Sequence, residues 1–153
     1  MTSPPAPLED DVDRTLVSLL AADGRATLSA LAAAAGMSVS ATQSRVRRLE
    51  QRGVIRGYAA DVDPDALGLP LAAFVSITPL DPAQPDDAPE QLSALDAVEA
   101  CYSVAGDASY LLLVRVPSPR ALEELLREIR LVANVRTRTT VVLQTFYERR
   151  PHQ

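Results

Sequence analysis

The chain of 153 residues has no lysine, no tryptophan, one cysteine and one histidine. With Cys101 alone, no disulfide can close within the chain, and Cys101 and His152 together fall short of a four-ligand metal site. No apolar run approaches the ~20 residues of a membrane span. The first seven residues, Met-Thr-Ser-Pro-Pro-Ala-Pro, lack the basic and hydrophobic regions of a secretory signal, which predicts a cytoplasmic protein. There is no Ser-His-Asp set, no cluster of metal ligands and no phosphate-binding glycine loop, so neither catalysis nor a cofactor is expected. The missing lysines, with abundant alanine, point to GC-rich coding and carry no mechanism.

What is present suffices for a buried core: 47% of residues are hydrophobic and 23% charged. The net charge of −5 and a sequence pI near 4.8 argue at first against a polyanionic partner. That reading fails once charge is partitioned along the chain. Residues 1–56 carry +1, residues 57–114 carry −10 with no base at all, and residues 115–153 carry +4. Between Ser38 and Arg56, Arg45, Arg47, Arg48, Arg52 and Arg56 face only Glu50. A basic segment precedes an acidic body.

Periodicity divides the chain in two. Pro4, Pro5 and Pro7 mark residues 1–7 as a disordered lead. From Leu8 the pattern is helical, with Leu8, Val12, Leu16, Leu19 and Leu20 on one face. Glu9, Asp10, Asp11 and Asp13 lie in the first turns, where the helix dipole favours negative charge, and Asp23-Gly24 ends the helix. Thr27 caps a second helix with Leu28, Leu31 and Ala35 as its stripe, and Gly36 ends it. Ser38 caps a third helix reaching about Gln51, before Gly53. Two helices joined by a tight glycine turn, behind a supporting first helix, make a helix-turn-helix unit over residues 8–53. Val54–Val62 alternates apolar and polar residues and reads as a wing or hinge strand, within a linker of residues 54–69.

Beyond Gly68 the period is that of strands. Leu71–Pro79 is predicted as a strand, 81–89 as a proline-rich acidic loop, and Glu90–Leu95 as a short helix. Strands at Val98–Ala105 and Tyr110–Val116 follow, joined by a Gly106-Asp107 hairpin turn, then a helix over Ser118–Leu131 and a last strand over Val135–Tyr147. The class is therefore α+β: a winged helix-turn-helix followed, over residues 70–149, by a ferredoxin-like βαββαβ domain, with residues 150–153 as a tail. Leu71–Thr78 and Leu111–Val114 carry apolar residues on both faces, so the sheet face without helices is expected to be covered by a second subunit.

On the third helix, Val39, Thr42, Val46 and Leu49 fall on the side expected to face the core. Ser40, Ala41, Ser44, Arg47, Arg48 and Gln51 lie opposite, with Arg45 at the flank. Short side chains at the N-terminal end allow close approach to base edges, and arginines grip phosphate or guanine. Alone, such an arginine run reads as a solvated helix face; within helix-turn-helix spacing it reads as a DNA-facing helix. Ser38, Ser40, Ala41, Ser44, Arg45, Arg47 and Arg48 are the candidate DNA-binding residues.

Six motifs stand along the chain: Leu8-Glu-Asp-Asp-Val-Asp-Arg14, Asp23-Gly-Arg25, Gly36-Met-Ser-Val-Ser40, Arg45-Val-Arg-Arg-Leu-Glu50, Gly53-Val-Ile-Arg-Gly-Tyr58 and Asn134-Val-Arg-Thr-Arg-Thr139. By them the sequence resembles, from about Leu8 to Arg149, the Lrp/AsnC, or feast/famine, transcriptional regulators. Ile77-Thr-Pro-Leu-Asp81, Gln84-Pro-Asp-Asp-Ala-Pro89 and Ser103-Val-Ala-Gly106 are similar to an actinobacterial branch of that family. The resemblance implies a regulator of double-stranded DNA acting on pseudo-palindromic operators, nucleoid-associated, built from homodimers that assemble to octamers or related rings. It also implies an effector, an amino acid in many members, held between dimers. Gly106 and Asp107 match the family's glycine-acid turn near that effector, and Ser109 and Tyr110 stand beside it. Ser109 replaces a second acidic residue found in many members, removing a charge that would engage an amino group. By spacing alone, Gly106-Asp107 is equally a hairpin turn. Cys101, Tyr58 and Tyr110 read first as packing or interface residues. Two other readings stay open: a metabolite-handling protein or small enzyme with a helical interaction module, and an effector-independent chromatin-architectural protein.

Overall fold

The computed structural model describes residues 7, 8 and 10–148. The proline lead through residue 6, Glu9, and the tail with Arg149, Arg150 and His152 lie outside them. The described residues form two compact units: one runs through Asp61 and includes Tyr147 and Glu148, the other is Val62–Phe146. The division falls within the segment expected to link the two domains, although Tyr147 and Glu148, expected in the second, group with the first.

In the first unit α1 is Asp11–Ala22, α2 Leu28–Ala35 and α3 Val39–Gln51. The start of α1 lies later than Leu8 because Asp10 is its cap: Oδ1 accepts from the amides of Val12 and Asp13 at 2.8 and 3.1 Å. Thr27 Oγ1 accepts from the Ala30 amide and Ser38 Oγ from the Ala41 amide, starting α2 and α3 where the sequence places them. Gly36, at φ +65°, ends α2 in the left-handed region, and the Met37 amide closes back on the Ala32 carbonyl. This lets the chain turn and enter α3 within three residues. Leu16, Leu31, Val46 and Leu49 form the centre of the unit, with Val12, Leu19, Leu20, Leu28, Val54 and Ile55 packed around them. Thr42 is fully buried and satisfies its hydroxyl on the Ser38 carbonyl. Val39, expected inside, is 46% exposed. It is the first residue of α3 and projects past the edge of this small core.

The expected strand over Val54–Val62 has no ladder. Residues 56–63 carry no regular secondary structure, and no strand of the described residues lies alongside to pair with them.

The second unit has β1 Leu71–Pro79, α4 Ala88–Leu92, β2 Val98–Ser103, β3 Tyr110–Val116, α5 Pro119–Ala133 and β4 Val135–Val141. Its sheet runs β2-β3-β1-β4, all neighbours antiparallel, the order of a ferredoxin-like split βαβ fold. Ala73, Val75, Ile77, Tyr110, Leu112, Val114 and Val135 point to one face and pack with Leu92, Leu122, Leu125 and Ile129 of the helices. On the other face Phe74 and Tyr102 are 39% and 53% exposed, so a single chain leaves that face open.

Several element ends differ from expectation: α4 stops at Leu92 instead of Leu95 and β2 at Ser103 instead of Ala105. Helix α4 starts at Ala88 and takes Pro89 into its first turn, where the missing amide of proline is harmless. Helix α5 continues to Ala133, ended by Asn134 at φ +50°. Strand β4 stops at Val141, paired with Ala73 near the start of β1; Leu143 and Phe146 beyond it are 96% and 82% exposed. Among the described residues, no helix is long and apolar enough to cross a membrane.

Candidate nucleic-acid interface and effector cleft

Thirteen residues give α3 a length of about 20 Å, enough to lie in a major groove ~12 Å wide. Since Thr42, Val46 and Leu49 face the core, the helical period turns Ser40, Ser44, Arg47 and Gln51 directly outward, and all four are exposed. Ser38 is occupied as the cap, and Ala41 is only partly exposed. The hydroxyl of Ser40 lies 3.3 Å from that of Ser38, and that of Ser44 donates to the Ser40 carbonyl at 3.1 Å. Both side chains are small and exposed.

The arginines differ from one another. Arg47 is exposed and makes no ion pair among the described residues. Arg45 instead turns onto α1: its Nη1 lies 2.9 Å from Asp10 Oδ2 and 2.8 Å from Asp13 Oδ1. Arg48 Nη2 sits 3.4 Å from the second Asp13 oxygen while half of its side chain remains exposed. The Arg45 guanidinium holds the Asp10 carboxyl below the usual carboxylate range, helped by the capping amides, and hydrogen bonds to Asp13 and then Asp10 raise Arg45 itself. The sequence reading placed Asp10 and Asp13 as dipole-compensating charges and missed them as partners of Arg45. That pairing spans 32 residues of chain and has no local signature.

Tyr58, expected to pack, is half exposed; its hydroxyl donates to Glu50 Oε1 at 2.9 Å and its ring passes beside Gly24. Burial first, then Glu50, raises its pKa.

At the end of the sheet the Val104–Ser109 connection between β2 and β3 borders two clefts. The first, about 530 Å³, opens on the helix-free face and is lined by Gly106 and Asp107 together with Ser76, Thr78, Arg136 and Arg138. The second, about 520 Å³, is lined by Ser109 and Tyr110 with Gln84, Asp86 and Ser103. The four residues expected at one site are thus divided between two. The cause is strand alternation: Tyr110 pairs with Ile77 and turns into the core, only 8% exposed, where its hydroxyl donates to Asp86 Oδ1 at 2.5 Å. Asp86 first, and burial second, pushes Tyr110 up to about 12. Ser109 is fixed through its backbone, donating to the Ile77 carbonyl and accepting from the Val104 amide.

Arg136 and Arg138 were missed as cleft residues, although their two-residue spacing on a strand puts them on one face, opposite Thr78 and Ser76 in the ladder. Asp107 of the loop and Arg136 and Arg138 of β4 line one cleft with Ser76 and Thr78, which makes a site of mixed charge. Cys101 lies exposed on edge strand β2, with its pKa raised by partial burial and then by Glu90, which disfavours the reactive thiolate.

Comparison with known proteins gives two domain matches: residues 10–50 match the AsnC-type helix-turn-helix domain and residues 72–152 the Lrp/AsnC ligand binding domain. The chain is 66% identical over 143 residues to the HTH-type transcriptional regulator LrpA of Mycobacterium tuberculosis, covering 94% of this chain and 95% of that protein. It is 39% identical over 140 residues to the leucine-responsive regulatory protein of Escherichia coli K12, covering 88% and 85%. Among solved structures, the feast or famine regulatory protein of M. tuberculosis complexed with L-methionine is similar at a TM-score of 0.93 and 66% identity, over 95% of this chain and 99% of that one.

Proposed function

The chain belongs to the Lrp/AsnC family of transcriptional regulators, and on that premise we propose that it reads double-stranded DNA through α3 and alters that reading when an α-amino acid enters the cleft beneath Asp107. The observation that carries the DNA reading is the outward stripe of Ser40, Ser44 and Arg47 on the second helix of the helix-turn-helix. Ser40 and Ser44 approach base edges, Ala41 lets the helix come close, and Arg47 with the exposed part of Arg48 engages phosphate or guanine. Ser38 serves by presenting the N-terminus of α3.

For the effector, the first cleft has the volume of a small-molecule site, ~300–1,000 Å³. Asp107 supplies a counter-charge for an ammonium group, and Arg136 or Arg138 one for a carboxylate, which is the polarity of a zwitterion. That a close relative was solved with L-methionine supports this class of ligand. Gly106 permits the loop that carries Asp107; Ser109 and Tyr110 hold the loop's far end and face the neighbouring cleft.

The open sheet face, with Phe74 and Tyr102, is the surface on which a second copy docks. A homodimer presents two copies of α3 to half-sites one or more helical turns apart, hence a pseudo-palindromic operator, and dimers joined near the clefts give octamers or related rings. Such a protein resides with the nucleoid in the cytoplasm.

A titration of the full chain against the DNA upstream of its own gene, with and without L-methionine, tests both parts. Tighter binding to that fragment than to random DNA, shifted by methionine, is the expected result. Binding without preference for sequence would replace a specific regulator with an architectural protein, and no response to any amino acid would remove the effector.

A further inference from the structure

Four arginines lie along α3 and its cap, and among them Arg45 has its charge met by Asp13 of α1 and by that helix's cap, Asp10. Its Nη1 lies within 2.9 Å of Asp10 Oδ2 and 2.8 Å of Asp13 Oδ1. Asp13 is 3% exposed. Asp10 is at the same time the cap of α1, through its other oxygen. The contact therefore joins the first turn of α1 to the middle of α3.

Apart from the longer Arg48–Asp13 contact at 3.4 Å, these helices meet in an aliphatic cluster that holds Leu16, Val46 and Leu49. Apolar packing is non-directional and holds helices together more firmly than it fixes their rotation. Charge-assisted hydrogen bonds to a planar guanidinium are directional. A reading helix needs that directionality, because each residue step is a turn of ~100° and a modest roll moves Ser40, Ser44 and Arg47 away from the groove. Withdrawing Arg45 to reach phosphate would leave Asp13 buried against Arg48 alone, an arrangement burial disfavours.

We propose that Arg45 is a positioning residue for DNA reading: it sets the rotation of α3 against α1 through Asp10 and Asp13 and contacts no phosphate itself. This rests on the DNA reading above and separates Arg45 from Arg47 and Arg48, which share its helix.

The experiment uses the full chain, a duplex enriched from a random pool by the wild-type protein, and an unenriched duplex of equal length. Affinities are measured over a salt series for Arg45→Gln, Arg45→Lys and Asp13→Asn, with circular dichroism melts to fix the folded fraction. Arg45→Gln is expected to lower the preference for the enriched duplex about ten-fold, with an unchanged slope of log affinity against log salt, since no released counterion is lost. Asp13→Asn is expected to weaken the same preference, and Arg45→Lys, which keeps the charge but not the fork, to fall between. The sign of the Asp13→Asn effect is decisive. Were Arg45 a phosphate ligand restrained by Asp13, removing that negative charge would tighten binding, and Arg45→Gln would flatten the salt slope; either result overturns the proposal. Equal losses on both duplexes, matching the unfolded fraction, would also overturn it by reducing Arg45 to a stabilising contact. If Arg45→Gln does not fold, Asp13→Asn and Arg45→Lys give the same discrimination. A wild-type protein that prefers no enriched duplex would instead overturn the DNA reading itself, and the role of Arg45 with it.

Discussion

Replacing Arg47 with alanine separates an electrostatic role for α3 from a merely solvated one. Arg47 stands on the outward face, in line with Ser40 and Ser44, with no ion pair among the described residues to hold it back. Its removal therefore leaves no orphaned partner and should leave the melting temperature nearly unchanged. If it neutralises one phosphate, the slope of log affinity against log salt becomes shallower by ~0.9 per helix bound. Between about 50 and 200 mM salt, the variant's deficit relative to wild type then shrinks ~3.5-fold for one helix and ~12-fold for a dimer that presents two. Fluorescence anisotropy on a labelled duplex across that range reads the effect directly. A guanine contact is distinguished because its loss is confined to the enriched duplex. Parallel salt plots with no change on either duplex would refute the reasoning, and the arginine-rich face of α3 would be a solvated surface.

Asp107→Ala should leave DNA binding without ligand nearly intact and weaken methionine binding in calorimetry, whereas normal affinity would remove Asp107 from the cleft; Arg136→Ala should act in the same direction through the carboxylate. Tyr110, held neutral by Asp86 and burial, should ionise near pH 12 in an absorbance titration. Its folded value lies above the ordinary 10, so its contribution to stability is complete below pH ~10 and is lost as pH rises through about 12. Tyr110→Phe should delete the step near pH 12, and a titration that keeps it would show the assignment to be wrong. Gly36→Ala meets no neighbouring atom but places a side chain at φ +65°, so a destabilisation of roughly 1 kcal/mol in thermal melts is expected.

Local chemistry made much of this protein legible. Thr27, Gly36 and Ser38 act on the backbone within three or four residues of themselves, and all three stand where the sequence placed them. Strands β1 and β3 were read to their ends because their alternation is bounded by turn residues. Long-range outcomes were not accessible in this way. The end of β4 falls opposite Ala73, near the start of β1 and far back in the chain. The extended run from Val54 lacks a ladder because pairing needs a neighbour, which periodicity cannot supply. At the cleft, the Gly106-Asp107 loop was visible as a turn, but its division from Ser109 and Tyr110 depends on which face Tyr110 takes in the ladder. Arg136 and Arg138 were within reach of the period-two rule; what they face came only with the fold.

Among the described residues the sheet order leaves β4 as an outer strand with an unpaired edge, and on that strand Arg136 and Arg138 alternate with Thr137 and Thr139. An open row of backbone donors and acceptors is a template for indiscriminate strand addition, and charged side chains are one of the means by which proteins discourage it. The two arginines thus discourage aggregation at the same time as they furnish the cleft. A variant chosen to alter ligand preference by replacing both with apolar residues would be exposed to a second selection, on solubility, and the range of effectors open to this chain is narrowed by the need to keep its own edge unattractive.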